Sequence, residues 1–300
     1  DLAAQAESNR TAVVPIVPNR GLILDRNGVV LATNYSAYTL EITPSRAGVL
    51  DETIDALSKV VDIQARDRRR FKRLMEESRN FESLPIRTRL TDQEVARFTA
   101  QRYRFPGVDI KARLFRNYPL GDVASHAIGY IGRINQTEKA RIQDSEDEAN
   151  YRGTEYIGKL GIEHSFESAL HGATGVEQME TSAGGRAVRK LSSHAATPGD
   201  SVMLSIDIKL QKLIEDLYGT RRGALVAIDP RNGEILALVS KPTFDPNLFV
   251  EGIDAENWAA LNESIDKPLL NRALRGTYPP GSTYKPFMAL AALQLNKRSP

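Results

Sequence analysis

The sequence predicts an α+β fold in two domains, on three observations. Two apolar stretches, at 20–32 and 223–240, each fold back at a turn that contains Asn-Gly, which is typical of antiparallel hairpins. After residue 200 the predicted order is strand, helix, hairpin and helix, which favours helices packed on an antiparallel sheet. A small, polar, proline-bearing stretch at 192–200 has the composition of a linker, and 300 residues suffice for about two cores.

Local signals predict the first elements of the chain. The hairpin at 20–32 turns at Asp25-Arg-Asn-Gly28, where Asn-Gly favours positive backbone dihedrals. Thr91-Asp-Gln-Glu94 is a capping box, in which the Thr side chain accepts from a free amide and the Glu reaches back. A helix is therefore expected to begin directly after Thr91.

A strand and a helix are predicted farther along the first domain. Apolar and charged residues alternate from Val108 to Leu114, as in a half-buried strand. The stretch 161–172 is expected to form one helix that ends at Gly172. Its apolar face would consist of Ile162, Phe166, Ala169 and Leu170.

The second domain is predicted to begin with a strand at 201–206. Asp207 can cap the helix that follows, and Gly219 can end it. The apolar positions of this helix lie at offsets 0, 3, 4 and 7, namely Leu210, Leu213, Ile214 and Leu217. The hairpin at 223–240 turns at 229–233, and its runs are so apolar that we expect both of its faces to be covered.

Composition excludes several classes of function. The formal net charge of +2 makes nucleic acid an improbable main partner, and the basic run at 66–73 is interpreted as a solvated helix face. The absence of cysteine removes disulfides, thiolate catalysis and cysteine zinc sites. No apolar stretch is long enough to span a bilayer, and the first eight residues lack the features of a signal peptide, so a membrane anchor would have to lie upstream.

Ser282 and Lys285 form an S-x-x-K spacing ahead of the last apolar segment. Residues 279–281 enforce a sharp entry, and residues 287–293 are apolar on all sides, as in a helix buried in a core. Free amides and the positive end of the helix dipole beside Ser282 suit an oxyanion and a developing alkoxide. Lys285 falls on the same face one turn later, and half-burial there disfavours its charged form, as a base requires.

Pro286 sets the expected start of this helix. Proline disfavours helical dihedrals at the preceding residue and lacks an amide hydrogen, so it fits only within the first turn. The helix should begin at about Thr283, with Ser282 on its lip. From the chemistry alone two interpretations remain: Ser282 is a nucleophile with Lys285 as its base, or it is a polar residue at a helix entry beside a surface lysine.

Other candidates receive structural interpretations. Ser264 and Lys267 repeat the S-x-x-K spacing, but on a polar surface where the lysine stays hydrated and protonated. Glu163 and Glu167 lie one helical turn apart and are expected to pair with basic groups or solvent. Structural or surface roles are also expected for the four scattered histidines, His126, His164, His171 and His194.

Several stretches together resemble one protein family. The segment "YPPGSTYKP" resembles the active-serine motif of the penicillin-binding transpeptidases, and nearly the whole chain is similar to the monofunctional, class B type, with its elongation-specific penicillin-binding protein 2 group the nearest. The other matching stretches are "RGLILDRNGVVLA", "RNYPLGDVASHAIGYIG", "GKLGIEHSFESALHG", "TPGDSVMLSID", "GALVAIDPRNGEILALVSKPTFDPN" and "NRALRGTYPPGSTYKP".

The resemblance implies a division of the chain and a reaction. Residues 1–195 would form an elongated, non-catalytic pedestal (dimerisation-type) domain, and residues 196–300 the beginning of the transpeptidase domain. Ser282 would attack the penultimate D-Ala of a stem peptide, Lys285 would take its proton, and the Ser282 amide would be half of the oxyanion hole. A β-lactam would acylate the same serine. No metal or organic cofactor is implied.

The sequence departs from the family in one respect. It stops at Pro300, so the downstream S-x-N and K-T-G motifs expected of the family are absent. We interpret the chain either as the front part of a longer protein or as a pedestal with an interrupted catalytic domain. An open sheet and a half-covered apolar helix would be poorly stable alone, which favours the first interpretation.

The resemblance also implies partners and a location. The expected partners are stem peptides ending in D-Ala-D-Ala, β-lactam antibiotics, a membrane glycosyltransferase and other elongation proteins. The expected location is the periplasmic face of a bacterial inner membrane, with a single N-terminal anchor. An alternative is that the pedestal serves chiefly as a docking module that activates the glycosyltransferase. A serine β-lactamase or β-lactam sensor is a third hypothesis, against which the long preceding pedestal counts.

Overall fold

The computed structural model of the chain describes residues 11–77, 83–181 and 187–298. Its strands are β1 (Thr11–Ile16), β2 (Ile23–Leu24), β3 (Val30–Ile42), β4 (Leu84–Arg87), β5 (Val108–Asn117), β6 (Ile131–Arg133), β7 (Tyr156–Gly158), β8 (Gly175–Thr181), β9 (Ala187–His194), β10 (Val202–Met203), β11 (Gly223–Ile228) and β12 (Ile235–Lys241).

The α-helices are distributed along the whole chain. They are α1 (Leu50–Leu57), α2 (Ala65–Glu77), α3 (Asp92–Gln101), α4 (Ser125–Ile128), α5 (Gln136–Gln143), α6 (Gly161–Ser165), α7 (Glu167–His171), α8 (Ile208–Tyr218), α9 (Ala255–Asn262), α10 (Arg272–Arg275) and α11 (Lys285–Gln294). This mixture of helices with mainly antiparallel strands confirms the predicted α+β class.

The long strand β3 organises the first part of the chain. It pairs antiparallel with β2 at one end, with β4 at the other and with β5 along ten positions. The predicted hairpin at 20–32 is confirmed, because β2 and β3 meet across a turn in which Asp25 Oδ1 accepts from the amides of Asn27 and Val29, at 2.8 Å each. Gly28 has φ +81°, a backbone conformation that glycine adopts without strain.

The first hydrophobic core lies between β3, β4 and helices α1 to α3, and its buried side chains include Leu40, Leu57, Phe71 and Phe98. Thr91 caps α3 as predicted, because its Oγ1 accepts from the Glu94 amide at 3.2 Å. Glu94, however, accepts from the Thr91 hydroxyl and lies 3.7 Å from Arg87, so among the described residues only half of the predicted capping box is present.

A second core joins early and late residues of the chain. Ile23, Leu31, Tyr118 and Leu170 pack there with Ile208 and Val250. The strand β10 pairs parallel with β2, so the chain returns to the first sheet before it enters α8. The border placed between residues 195 and 196 remains a prediction.

The predicted helix over 161–172 is wrong in its continuity. Two short helices, α6 and α7, are separated at Phe166, whose φ of −109° and ψ of 25° are not helical. Phe166 is exposed, whereas Leu170, Glu163 and His171 are buried. Glu163 turns inward to pair with Arg20 and Arg116, which the apolar pattern does not reveal.

The predicted apolar face of α8 is also wrong. Asp207 caps this helix as expected, but Leu213 and Leu217 are 56% and 65% exposed, while Gln211 and Glu215 are buried. The side chain of Gln211 donates to the Leu238 carbonyl and accepts from the Leu238 amide, at 2.8 Å each. The helix therefore turns Gln211 and Glu215 inward together with Ile208, and Gln211 satisfies backbone groups at the edge of β12.

The predicted hairpin of β11 and β12 is confirmed, but the prediction that both of its faces are covered is not. Ala237 and Val239 of β12 are fully buried, whereas Leu225, Val226 and Ile228 of β11 are exposed. Among the described residues these two strands form a sheet by themselves, and no second layer packs over the side chains of Leu225, Val226 and Ile228.

Candidate active site

Ser282 lies in a 3-10 turn, Gly281–Tyr284, that leads directly into α11. Gly281 has φ +54° and follows Pro280, which produces the sharp entry that the sequence predicts. Lys285 is the first residue of α11, and its amide donates to the Ser282 carbonyl. The two residues are therefore held one turn apart by a backbone hydrogen bond, although the α-helix begins two residues later than the predicted Thr283.

The prediction that the helix after Ser282 is buried in a core is wrong for the described residues. No residue of α11 is buried, and Phe287 and Leu290 are 68% and 64% exposed. The segment is apolar, but burial of a helix also requires a second layer that packs over it. In the described part of the chain no such layer covers this helix.

The surroundings of Ser282 and Lys285 are sparse in polar partners. No carboxylate of the described residues lies within ion-pair distance of Lys285. The Ser282 amide has no acceptor among the same residues, since the neighbouring bond in the turn runs from the Thr283 amide to the Pro280 carbonyl. The Ser282 amide and the Lys285 side chain thus have no internal partner among the described residues. Lys285 is exposed, so the half-burial expected for it is wrong, because no second layer covers α11.

The second S-x-x-K match is built into a turn. Ser264 Oγ accepts from the Asp266 amide at 3.2 Å, and the Lys267 carbonyl accepts from Arg272 at 3.1 Å. Lys267 is exposed and has φ +44°. These groups shape a loop, which agrees with the structural interpretation given to the Ser264 match.

The segment that leads to Ser282 is fastened to the sheet by residues that sequence reasoning missed. Ser240 Oγ, on β12, donates to the Leu270 carbonyl at 3.0 Å and accepts from the Arg272 amide at 2.8 Å. Arg272 is buried and begins α10, whose cap is Asn271. An Asn-x-x-Leu cap signal is visible in the sequence, but nothing local marks Ser240 or Arg272 as its anchors.

The histidines have the structural and surface roles predicted for them. His164 and His194 are exposed. His171 is buried beside Thr154, whose Oγ1 lies 3.0 Å from its Nε2, and burial lowers its pKa. His126 is buried with its Nε2 2.7 Å from the Pro268 carbonyl, and burial lowers its pKa to about 4.

Glu163 and Glu167 pair with basic groups, as predicted. Glu163 is fully buried and accepts from Arg20 and Arg116, at 2.7 Å each, and from the Tyr118 hydroxyl at 3.0 Å. Arg20 also donates to Glu167 at 2.7 Å. Burial alone would raise the pKa of Glu167, but this pairing holds it below its ordinary value.

Neither a metal cluster nor a spanning helix is found within the described ranges. No group of three or more His, Cys, Asp or Glu side chains there is placed to hold a metal ion. No helix among those residues has both the length and the apolarity to cross a bilayer.

Two family models match the chain. Residues 15–204 match the Penicillin-binding Protein dimerisation domain, and residues 223–300, which contain Ser282 and Lys285, match the Penicillin binding protein transpeptidase domain. The chain is 44% identical over 293 residues to the peptidoglycan D,D-transpeptidase MrdA of Escherichia coli K12, covering 98% of the chain and 46% of that protein. The MrdA of Acinetobacter baumannii is 43% identical, with 98% and 43% covered.

Solved structures share the fold. The complex between penicillin-binding protein PBP2 and MreC from Helicobacter pylori aligns with a TM-score of 0.72 and 26% identity, over 95% of this chain and 52% of that one. Pseudomonas aeruginosa PBP2 in complex with WCK 5153 aligns with a TM-score of 0.60 and 35% identity, over 96% and 43%. The chain thus spans about half the length of the relatives it matches.

Proposed function

We propose that the protein is a peptidoglycan D,D-transpeptidase that acts through an acyl-enzyme on Ser282. The basis is that the chain belongs to the class B penicillin-binding protein 2 family. The observation that carries this proposal is the placement of Lys285 one turn after Ser282, with no described carboxylate to pair with it. The S-x-x-K spacing puts the Lys285 amine on the same face as Ser282, where a lysine can serve as the base for the serine.

The reaction divides into acylation and transfer. In acylation Ser282 Oγ attacks the carbonyl carbon of the penultimate D-Ala, and its proton passes to Lys285 Nζ. The negative charge on the carbonyl oxygen is stabilised by the Ser282 amide. The C–N bond to the last D-Ala then breaks, and that amine leaves with the proton.

Transfer regenerates the enzyme. An amine on a neighbouring peptide strand attacks the ester carbon, and its proton is taken up by Lys285. Lys285 passes that proton to Ser282 Oγ as the ester bond breaks and the new amide forms. A β-lactam ring opens on the same Ser282 Oγ in place of the peptide and leaves slowly. In the proposed steps Ser282 is the nucleophile, Lys285 transfers the protons and the Ser282 amide stabilises the oxyanion.

The test is the intact mass of the protein, expressed from its full reading frame, with and without excess benzylpenicillin. One covalent equivalent is expected on the wild-type protein and none on Ser282→Ala. Ser264→Ala is the matched control, since it alters the other S-x-x-K serine, and it should acquire the full adduct. An adduct that persists in Ser282→Ala would overturn the assignment of the nucleophile.

A docking role for residues 1–195 is a second candidate, favoured by the solved complex of Helicobacter pylori PBP2 with MreC. The pedestal would activate a membrane glycosyltransferase and meet other elongation proteins at the periplasmic face of the inner membrane, where an N-terminal anchor holds it. The exposed turn Arg26-Asn27 is one pedestal position at which to test this role, but Arg26 also lies 3.3 Å from Glu234 of the hairpin turn. Asn27 is therefore the cleaner position to change.

Asn27→Arg separates docking from catalysis. Activation of the glycosyltransferase should fall, because a long charged side chain obstructs the turn, while acylation by benzylpenicillin stays at the wild-type rate. Equal loss of both activities would argue against a separate docking role.

A further inference from the structure

His126 connects the region of the dimerisation-domain match to the region of the transpeptidase match. It lies on α4, and its ring is nearly perpendicular to that of Phe244, with ring centroids 5.1 Å apart. Because the Pro268 carbonyl 2.7 Å away can only accept, His126 Nε2 carries a hydrogen and donates it. Burial lowers the pKa of His126 to about 4, so the ring is neutral in this contact near pH 7.

Pro268 belongs to a turn that is closed by Arg272. The Arg272 guanidinium donates to the carbonyls of Asp266 and Lys267, at 2.5 and 3.1 Å. The amide of Arg272 is in turn bound by Ser240 of β12. The turn from 266 to 272 is thus held at three points, by His126, by its own Arg272 and by the sheet.

This turn leads directly to the proposed nucleophile. The helix α10 begins at Arg272, the last residue of the turn, and ends at Arg275, after which residues 276–281 lead to Ser282. No residue of the 3-10 turn at Ser282 or of α11 is buried among the described residues. Among the described residues, the position of Ser282 therefore depends on α10 and on the turn at 266–272.

We propose that His126 is a positioning residue for the reaction at Ser282, acting through the Pro268 carbonyl and the turn closed by Arg272. The inference rests on the proposed acyl-enzyme at Ser282. Its physical basis is that a displacement of about 1 Å in a reacting group lowers the rate of a positioned reaction substantially. The hydrogen bond from His126 to the Pro268 carbonyl fixes the start of the segment that leads to Ser282.

The test compares two replacements of His126 in the protein expressed from its full reading frame. His126→Gln retains an N–H donor at similar reach, and His126→Leu retains apolar bulk without a donor. The measurements are the second-order rate constant for acylation by a fluorescent penicillin and the midpoint of thermal unfolding. His126→Leu should acylate about tenfold more slowly than the wild type, and His126→Gln should stay within about threefold.

His171→Leu is the matched control, because His171 is also a buried histidine but its ring bonds to Thr154 within the first region. It should lower the unfolding midpoint and leave acylation unchanged. The inference is overturned if His126→Gln is as slow as His126→Leu, since bulk rather than the donor would then matter, or if His126→Leu acylates like the wild type.

Arg272→Lys provides a second route if His126→Leu does not fold. It removes the fork that binds the Asp266 and Lys267 carbonyls, and a slowing similar to that expected for His126→Leu supports the inference, whereas a wild-type rate overturns it. A wild-type protein that is not labelled at Ser282 would overturn the proposed function itself. Labelling at Ser282 with no effect of His126→Leu or Arg272→Lys would overturn only this inference.

Discussion

The two regions matched by the family models, residues 15–204 and 223–300, differ in how their apolar side chains are covered. In the first, helices and sheet close over Leu40, Phe71 and Phe98, and the inward-facing Glu163 is paired with arginines. In the second, the apolar side chains of β11 and α11 remain exposed among the described residues. Equal apolarity in a sequence thus predicts equal burial only where the chain also supplies the opposite layer.

The charge cluster of the first region should give the largest effect. Glu163→Ala leaves Arg20 and Arg116 without their shared partner in a buried site, and we expect it to reduce the free energy of unfolding by about 5 kcal/mol. Urea unfolding of the chain followed by circular dichroism measures this. The control Glu180→Ala breaks an exposed pair with Arg189 and should cost less than about 1 kcal/mol. Similar losses in the two variants would show that burial of Glu163 is unimportant.

A matched pair of phenylalanines tests the comparison most directly. Phe71→Ala should destabilise the chain by about 4 kcal/mol, because it opens a cavity in the first core. Phe287→Ala, on the exposed α11, should change the free energy of unfolding by less than about 0.5 kcal/mol. The same denaturant titration serves both variants. A large loss for Phe287→Ala would mean that α11 is covered in solution, and the contrast between the regions would fail.

Protonation of His126, which joins the two regions, should lower the free energy of unfolding in acid. The pKa of His126 is about 4 in the folded chain, lowered by burial and by Arg272, against about 6.5 when unfolded. Between these values the unfolded chain binds the additional proton, so stability falls as pH falls from 6.5 to 4 and then levels off, by up to about 3 kcal/mol. Unfolding free energies of the wild type and His126→Gln measure this across the window. His171 is present in both proteins, so their difference isolates His126, and identical slopes would contradict the prediction.

Sequence reasoning succeeded where the determinants are local. The Asp25 turn, the Asp207 cap and the hairpin of β11 and β12 depend on residues a few positions apart, which a pattern displays. The sequence pattern did not predict which face of α8 is buried, because Gln211 forms its hydrogen bonds with Leu238, which is distant in sequence. Burial cannot be read from one helix when its partner decides which side is covered.

The candidate site divides in the same way. The spacing of Ser282 and Lys285 and the sharp entry at Gly281 are visible in nine consecutive residues, and the structure has that entry. Their chemical roles remain a prediction. Ser240, Arg272 and His126 carry no local signal, since each owes its place to a carbonyl or amide brought near by folding.

The pairing of Gln211 with Leu238 makes the two edges of the small sheet of β11 and β12 unequal. The outer edge of β12 is already occupied, because Gln211 binds both backbone groups of Leu238, the Asp207 amide donates to the Leu236 carbonyl, and Ser205 Oγ donates to the Ile235 carbonyl. Among the described residues no strand pairs with the other edge, along β11, where the Ala224 carbonyl accepts from the Tyr218 hydroxyl at 2.8 Å. Because the β12 edge is occupied, we expect any further strand to join this sheet at β11.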